Sequence, residues 1–394
     1  MKSHQRGRRA FSWFALLPAS SLPFCLAILA ALCLTTSVQA IGILEGGVGV
    51  GLGGTTDFGS GDESVRPAGM SMPSVLGGRF TGRVDFGSGL VEVSPTIVAG
   101  DPSGLPPDSP TNRIDPNTLS SAFGGVGSLR LVTGSGTFIC SGTAISPWNV
   151  LTAAHCLDLD NNGVIDVTPA NVEFRLNHGS NTSSIITAAA LAIHPNFTGF
   201  ANPSVNDDLA VITLAAPLPA ATPIYALHAP TVSAGTTFTL AGYGISGDGI
   251  SGYSGGASFT RKRVGQNNAD SFTGNDESGP PATEVFRYDF DGPIGNDIYG
   301  GPTLGNVIET MIGGGDSGGP GFVDNNGNLE IAGVSTFIFA GDNGTFGDRA
   351  GGVLVAPYVG WINAQIIPEP SSVLLASLGL WGLLFSPARR RSIS

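Results

Sequence analysis

The chain has 394 residues, a formal net charge of −12 and only 12% charged residues. Between residues 41 and 366 there are 29 acids against 11 bases, a body that repels nucleic acid and is well solvated. Gly, Ser, Thr, Asn and Pro fill the spaces between short apolar patches, which excludes a mainly helical protein and predicts many short strands joined by loops.

The two ends read as addresses. Residues 1–40 open with Lys2, Arg6, Arg8 and Arg9, continue through an apolar run from Phe11 to Leu34 and finish Val38-Gln39-Ala40. This is the pattern of a signal peptide removed by signal peptidase after Ala40. At the other end, Pro368-Glu369-Pro370 is followed by apolar residues from Val373 to Phe385 and then Arg389-Arg390-Arg391. The apolar stretch is short for a stable span and supports only transient membrane association, with the arginines held on the cytoplasmic side. The three parts in this order resemble the PEP-CTERM sorting signal of bacterial envelope proteins. That resemblance implies an exosortase-type partner and an exported product of a Gram-negative cell.

Residues 41–113 read as a poorly ordered pro-segment or linker. They hold two copies of Asp-Phe-Gly-Ser-Gly, at 57–61 and 85–89, and a Pro-rich stretch from Asp101 to Pro110. From residue 114 short β-branched runs take over: Val126–Val132, Thr137–Ile145, Val150–Thr152, Val172–Leu176 and Leu209–Leu214. They continue with Phe238–Tyr243, Val285–Tyr288, Gly319–Val323, Leu329–Phe339 and Gly352–Val355. Strands at this spacing predict an all-β barrel or sandwich. One helix is predicted, from Pro357 to Ile366, with Tyr358, Trp361 and Ile362 on one side.

Three segments carry candidate chemistry. Gly313-Gly314-Gly315-Asp316-Ser317-Gly318-Gly319-Pro320 offers a serine on a turn only glycine can take, with the N–H groups of Gly315 and Ser317 beside it as an oxyanion hole. Thr152-Ala153-Ala154-His155-Cys156 sets a histidine after an apolar strand. Asp208 opens the strand Leu209-Ala210-Val211-Ile212, where a buried acid orients an imidazole, and Asp207 is its expected exposed neighbour. Cys140 and Cys156, the only cysteines outside the leader, read as a disulfide in an exported protein. Just after Cys156, Asp158, Asp160, Asn162, Val164 and Asp166 have the oxygen spacing of a calcium loop, but Pro169 occupies the place of the bidentate acid. A structural calcium and a solvated Asx-rich turn are equally compatible with this segment. No cofactor is required.

Taken together, His155, Asp208 and Ser317 with their flanking residues resemble, in order and motif, the chymotrypsin/trypsin family of serine endopeptidases. Cys140-Ser141-Gly142, Ala241-Gly242-Tyr243-Gly244 and Trp361 add to the likeness, which spans 114–366. The resemblance implies two six-stranded antiparallel β-barrels, divided near residue 228, a C-terminal helix and a site between the barrels. It implies His155 as base, Asp208 as its orienting acid, Ser317 as nucleophile and a protein or peptide substrate. It also implies that a new α-amino group, freed by proteolysis, pairs with buried Asp316. The spacing to His155 selects Ile114, freed by cleavage after Arg113, over the more family-like Ile97-Val98-Ala99-Gly100. Met311 stands where trypsins carry an aspartate, so a pocket with Ser335, Thr336 and Phe337 as a wall predicts an uncharged preference. Two other readings are a non-catalytic envelope module and an esterase using the same site.

Overall fold

The computed structural model describes residues 66–67, 84–85, 90–92 and, with short gaps, 97–366. Residues 1–40, read as a leader, and 367–394, read as a sorting signal, lie outside the described residues. No described helix is long and apolar enough to cross a membrane.

Nineteen strands are described. The first nine are β1 (Arg66–Pro67), β2 (Val84–Asp85), β3 (Leu90–Glu92), β4 (Val126–Thr133), β5 (Gly136–Ala144), β6 (Asn149–Thr152), β7 (Val172–His178), β8 (Asn181–Ile193) and β9 (Ala210–Leu214). Strands β4 to β9 pair in the order β5-β4-β7-β8-β9-β6, and β6 returns to β5. That last pairing, Thr143 with Leu151 and Ala144 with Val150, closes a six-stranded antiparallel barrel and leaves it without an open edge. Leu129, Leu131, Val150, Leu151, Phe174, Val211 and Ile212 belong to the buried cluster around its two faces.

The second half contains β10 (Ala226–Leu227), β11 (Thr236–Gly242), β12 (Ser246–Asp248), β13 (Gly252–Gly255), β14 (Arg263–Ala269), β15 (Ser271–Thr273), β16 (Val285–Asp289), β17 (Pro320–Asn325), β18 (Asn328–Phe339) and β19 (Arg349–Leu354). Its main path runs β14-β11-β17-β18-β19-β16-β15. The all-β, two-barrel expectation is met, with the second barrel described as a half-barrel. Among the described residues no ladder joins the two ends of this path, so the sheet curls into an open half-barrel. Phe238, Leu240, Phe286, Tyr288, Met311 and Ile312 form its core, with Phe238 meeting Phe286 edge to face at 4.8 Å.

The last described element is a short helix, α1 (Val359–Gln365), entered through a 3₁₀ turn at Ala356–Tyr358 that carries Pro357 in its first positions. Tyr358 and Ile362 are buried and pack on the core that also holds the first barrel. The helix therefore returns the end of the second half onto the first.

The expected linker extends less far than residue 113. Ile97, Val98 and Ala99 are buried, and Val98 forms a bridge with Met311. Arg113 is buried in an ion pair with Asp108 at 2.6 Å and also donates to the carbonyls of Ile308 and Glu309. Asp115 pairs with Lys262 at 3.4 Å, in a site where burial pulls the lysine down to about 8. Residues 97–115 are thus packed on the second half through buried charges whose partners are supplied, the arrangement such charges require.

Candidate active site

His155 lies in a one-turn 3₁₀ helix, Ala154–Cys156, directly after β6. Its backbone N–H donates to Asp208 Oδ1 at 2.9 Å, and its Nδ1 lies 2.7 Å from Asp208 Oδ2. Both side chains are fully buried. Asp208 reaches this position because β9, which follows it, is paired residue for residue with β6, Thr152 against Ala210. One carboxylate thus fixes both the backbone and the ring of the histidine, which sets which ring nitrogen carries the proton and leaves Nε2 for chemistry.

Ser317 is carried on the Gly-rich loop before β17. The loop is fastened to the first barrel at three points. Ser141 N–H donates to the Ser317 carbonyl at 2.8 Å, Ser141 Oγ donates to the Gly315 carbonyl at 2.9 Å, and Cys156 Sγ sits 3.6 Å from the Ser317 carbonyl. Cys140 and Cys156 form the expected disulfide, which joins β5 to the histidine turn. Two glycines are required by geometry. Gly318 has φ of +80°, and a Cβ there would lie 2.0 Å from Thr152 Oγ1; Gly315 has φ of +107°, and a Cβ there would meet Gly244 and Ile139. The loop's own turns use the amides of Asp316, Gly318 and Gly319, which donate to Gly313, Ser335 and Asp316 carbonyls. Among the described residues the amides of Gly315 and Ser317 are not spent on these turns. Ser317 Oγ is buried with no described hydrogen-bond partner.

Asp316 is buried and accepts from the N–H groups of Gly244 at 2.8 Å and Gly313 at 3.3 Å. Burial pushes its carboxyl up to about 7, against the opposing pull of the Gly244 hydrogen bond and the Arg263 charge. No ion pair holds it among the described residues. In the uncut chain the Ile114 amide faces the Thr111 carbonyl, and Ile114 forms a bridge with Arg263. The segment that approaches this loop is Ile97–Ala99. Val98 N–H donates to the Met311 carbonyl at 2.6 Å, Thr310 Oγ1 donates to the Val98 carbonyl, and Ala99 N–H donates to Gly247 at 2.9 Å.

The proposed wall residues Ser335, Thr336 and Phe337 are all buried on β18, and Met311, which bridges to Val98 ahead of the Gly-rich loop, is buried as well. The Phe337 ring lies against Gly351, whose added Cβ would stand 2.6 Å from its Cζ. Asp342 and Asp348 serve their own loop, accepting from Arg349 N–H and from Asn343 and Thr345 N–H. The surface cavities that are described are lined along Leu176 and Pro219 and along Tyr225 and Glu330, not by His155, Asp208 or Ser317.

At the expected calcium loop, Asp158, Asp160 and Asp166 bring carboxylate oxygens within 4.8 Å of one another. Each well-placed oxygen closes the loop on itself: Asp158 accepts from Asn162 and Gly163 N–H, Asp166 from Leu159 and Asp160, and Asn162 Oδ1 from Val164. These bonds form Asx turns, which the calcium loop and the solvated turn expected from the sequence have in common.

A second acidic group has no sequence motif. Asp270, Asp289, Asp291 and Glu309 converge from β14–β16 and the loops beside them, with Asp289 and Glu309 buried. Burial first, and mutual repulsion after it, push Asp270 and Glu309 up to about 8 and Asp291 to about 6. Raised carboxyl groups stabilise the fold fully below their ordinary range near 4 and lose that contribution as pH rises through about 8. The melting temperature at pH 8.5 should therefore lie roughly 3–6 °C below that at pH 5, and Asp270→Asn should narrow the gap. A flat or rising profile over this interval by calorimetry would contradict the cluster's assignment.

Comparison with known proteins agrees with the geometry. Residues 124–272 match the Trypsin family model. Brachyurin from Leptuca pugilator is 34% identical over 119 residues, covering 30% of this chain and 50% of the brachyurin. The chain thus spans about half the length of that curated relative. The matched region contains His155 and Asp208 but stops before Ser317. A closed six-stranded barrel, an open second one and a short C-terminal helix form the architecture of trypsin-like folds.

Proposed function

We propose that this chain is an exported serine endopeptidase that cleaves peptide bonds through an acyl-enzyme. The observation that carries the reading is the buried Asp208–His155 contact at 2.7 Å, on a turn disulfide-linked to the strand that also holds the Ser317 loop. In the proposed reaction His155 Nε2 takes the proton of Ser317 Oγ as that oxygen attacks the substrate carbonyl carbon. The N–H groups of Gly315 and Ser317 stabilise the oxyanion. His155 then returns the proton to the leaving amine, and water hydrolyses the Ser317 ester by the same route in reverse.

Activation is assigned to cleavage between Thr96 and Ile97 rather than after Arg113. The earlier bond is proposed because Ile97–Ala99 lie along Met311 beside the Asp316 loop, whereas Arg113 is engaged with Asp108 and two carbonyls. An uncharged residue before the scissile bond is the proposed preference, since Met311 supplies no counter-charge and both nearby aspartates serve their own loop. Export through the leader and processing at Pro368-Glu369-Pro370 complete the proposal, resting on the sequence.

A fluorophosphonate probe tests the central claim. Matured protein should be labelled at Ser317, and Ser317→Ala should not be. Failure to label the matured parent would favour a non-catalytic envelope module.

A further inference from the structure

Ser317 and His155 are 1% and 0% exposed, so in the uncut chain the proposed nucleophile and its base are closed to an outside carbonyl. The sheet edges that run out from the serine loop are occupied too. Both are taken by strands that lie upstream of the activation bond, β1 and β3.

The first edge belongs to β18. One side of β18 is taken by β19, from Gly333 opposite Leu354 to Ile338 opposite Ala350. The other side meets β17 as far as Val334 and then the serine loop, where Gly318 N–H donates to the Ser335 carbonyl at 2.8 Å and Ser335 N–H to the Gly319 carbonyl at 2.9 Å. Past Ser335 this side runs on from the loop, and β3 lies against its outer end. Glu92 is opposite Ile338 and Val91 opposite Phe339, in antiparallel register. β3 is backed in turn by β2, with Val84 opposite Val91. The two strands flank the second Asp-Phe-Gly-Ser-Gly copy, a repeat that the protease reading leaves without a role.

The second edge belongs to β5. One side of β5 is paired with β4 over its whole length. The other side meets β6 at Thr143 and Ala144 and then the serine loop, where Ser141 N–H donates to the Ser317 carbonyl at 2.8 Å. The next stretch is taken by β1, with Arg66 opposite Phe138 and Pro67 opposite Ile139, in parallel register. A proline suits such an outermost strand, which has one side without a ladder.

The chain directions agree with the positions. β3 runs against β18 and so heads toward Ser335, while β1 runs with β5 and so heads toward Ser141. A free sheet edge offers backbone N–H and C=O groups to any extended chain, whatever its side chains. An extended peptide laid across Ser317 would have these two edges on either side of the serine.

We propose that the edges of β5 and β18 form one docking surface for an extended chain, and that the segment carrying β1 and β3 is its built-in occupant, an inhibitor that the protease carries itself. The inference rests on Ser317 and His155 as the reacting pair. Strand pairing is non-covalent, so cutting before Ile97 leaves the segment in place. Full activity then needs two events, the cut and the departure of the segment.

A recognition sequence for an outside protease, put in place of Val93–Thr96, allows a single cut before Ile97. Residues 41–96 are then left bound or washed away, and hydrolysis of a small peptide is followed in both samples. Removal should raise kcat/KM by about tenfold or more. A synthetic peptide of residues 62–92 added back should raise KM and leave kcat unchanged, the mark of competition for the substrate's place. The same peptide with Val91→Pro and Glu92→Pro has no N–H at either position to give β18, and it should inhibit about tenfold more weakly. Hydrogen exchange in a Ser317→Ala chain gives a readout that needs no turnover. Its segments holding Phe138–Ile139 and Ile338–Phe339 should exchange faster once 41–96 is gone. Equal kcat/KM with and without the segment, an added peptide that is cleaved or lowers kcat alone, or unchanged exchange at both edges each overturns the inference. Absence of fluorophosphonate labelling after the segment is washed away ends the protease reading instead, and the exchange measurement still reports on the two edges.

Discussion

Asp208→Asn should lower kcat by about four orders of magnitude while leaving the protein folded. The carboxylate at 208 does two jobs in this structure. Oδ1 accepts the His155 backbone N–H, and Oδ2 faces Nδ1 of the ring. An asparagine keeps the volume and can still accept from the backbone. Its amide NH₂, however, points a donor at Nδ1, so the ring is driven to the tautomer with its proton on Nε2. That form donates toward Ser317 and cannot take its proton. The developing imidazolium also loses the contacting carboxylate of Asp208 in a buried site, where charge interactions are strong. Circular dichroism and the melting curve should stay close to the parent, and Cys140–Cys156 should still form. A loss of less than about tenfold in kcat would show that Asp208 is structural and that another group orients His155.

The parts of this site that were legible in the sequence are those whose signal is local. Gly315 and Gly318 must take positive φ next to the serine, and the residues around His155 and Asp208 form short strand ends that read as such. Strands with apolar periodicity were legible for the same reason. β14 was not, because its buried positions are Arg263, Gly265, Asn267 and Ala269, which bury polar or absent side chains against partners distant in sequence. β8 escaped as well: its thirteen residues begin Asn181-Thr182-Ser183-Ser184 and carry three consecutive alanines. The burial of Asp207 was beyond local reading, since Tyr358, 151 positions away, and His194 lie against it. Likewise, the open end of the second half depends on strand pairing that composition does not encode.

A chain beginning at Ile97 should be active, and one beginning at Ile114 should not. Counting residues back from His155 favours Ile114, because a start at Ile97 carries 17 extra residues. The structure accounts for those residues as a closed excursion. Gly100 N–H donates to Asp108 Oδ2 at 2.7 Å, Arg113 grips the same carboxylate, and Asn306 Nδ2 bonds the carbonyls of Asp101 and Pro106. The excursion leaves Ile97 to Ala99 laid along Met311 and Gly247, at the base of the loop that carries Asp316. Asp316 in the uncut chain is a buried carboxyl raised to about 7 with no ion pair among the described residues. A freed Ile97 ammonium reaching it would supply the missing charge and pull its pKa back down, fixing the Gly313–Ser317 turn and with it the Gly315 N–H. Cutting at Ile114 would instead remove Val98, Asp108 and Arg113 from the second half and leave buried Glu309 and Thr310 without their partners. Sequencing the active form should therefore read Ile-Val-Ala-Gly. In that form Asp316→Asn should cost about 10²–10³ in kcat, the cost of one lost oxyanion donor. An active form that starts at Ile114, or an Asp316→Asn enzyme as fast as the parent, would move the activation site away from Ile97.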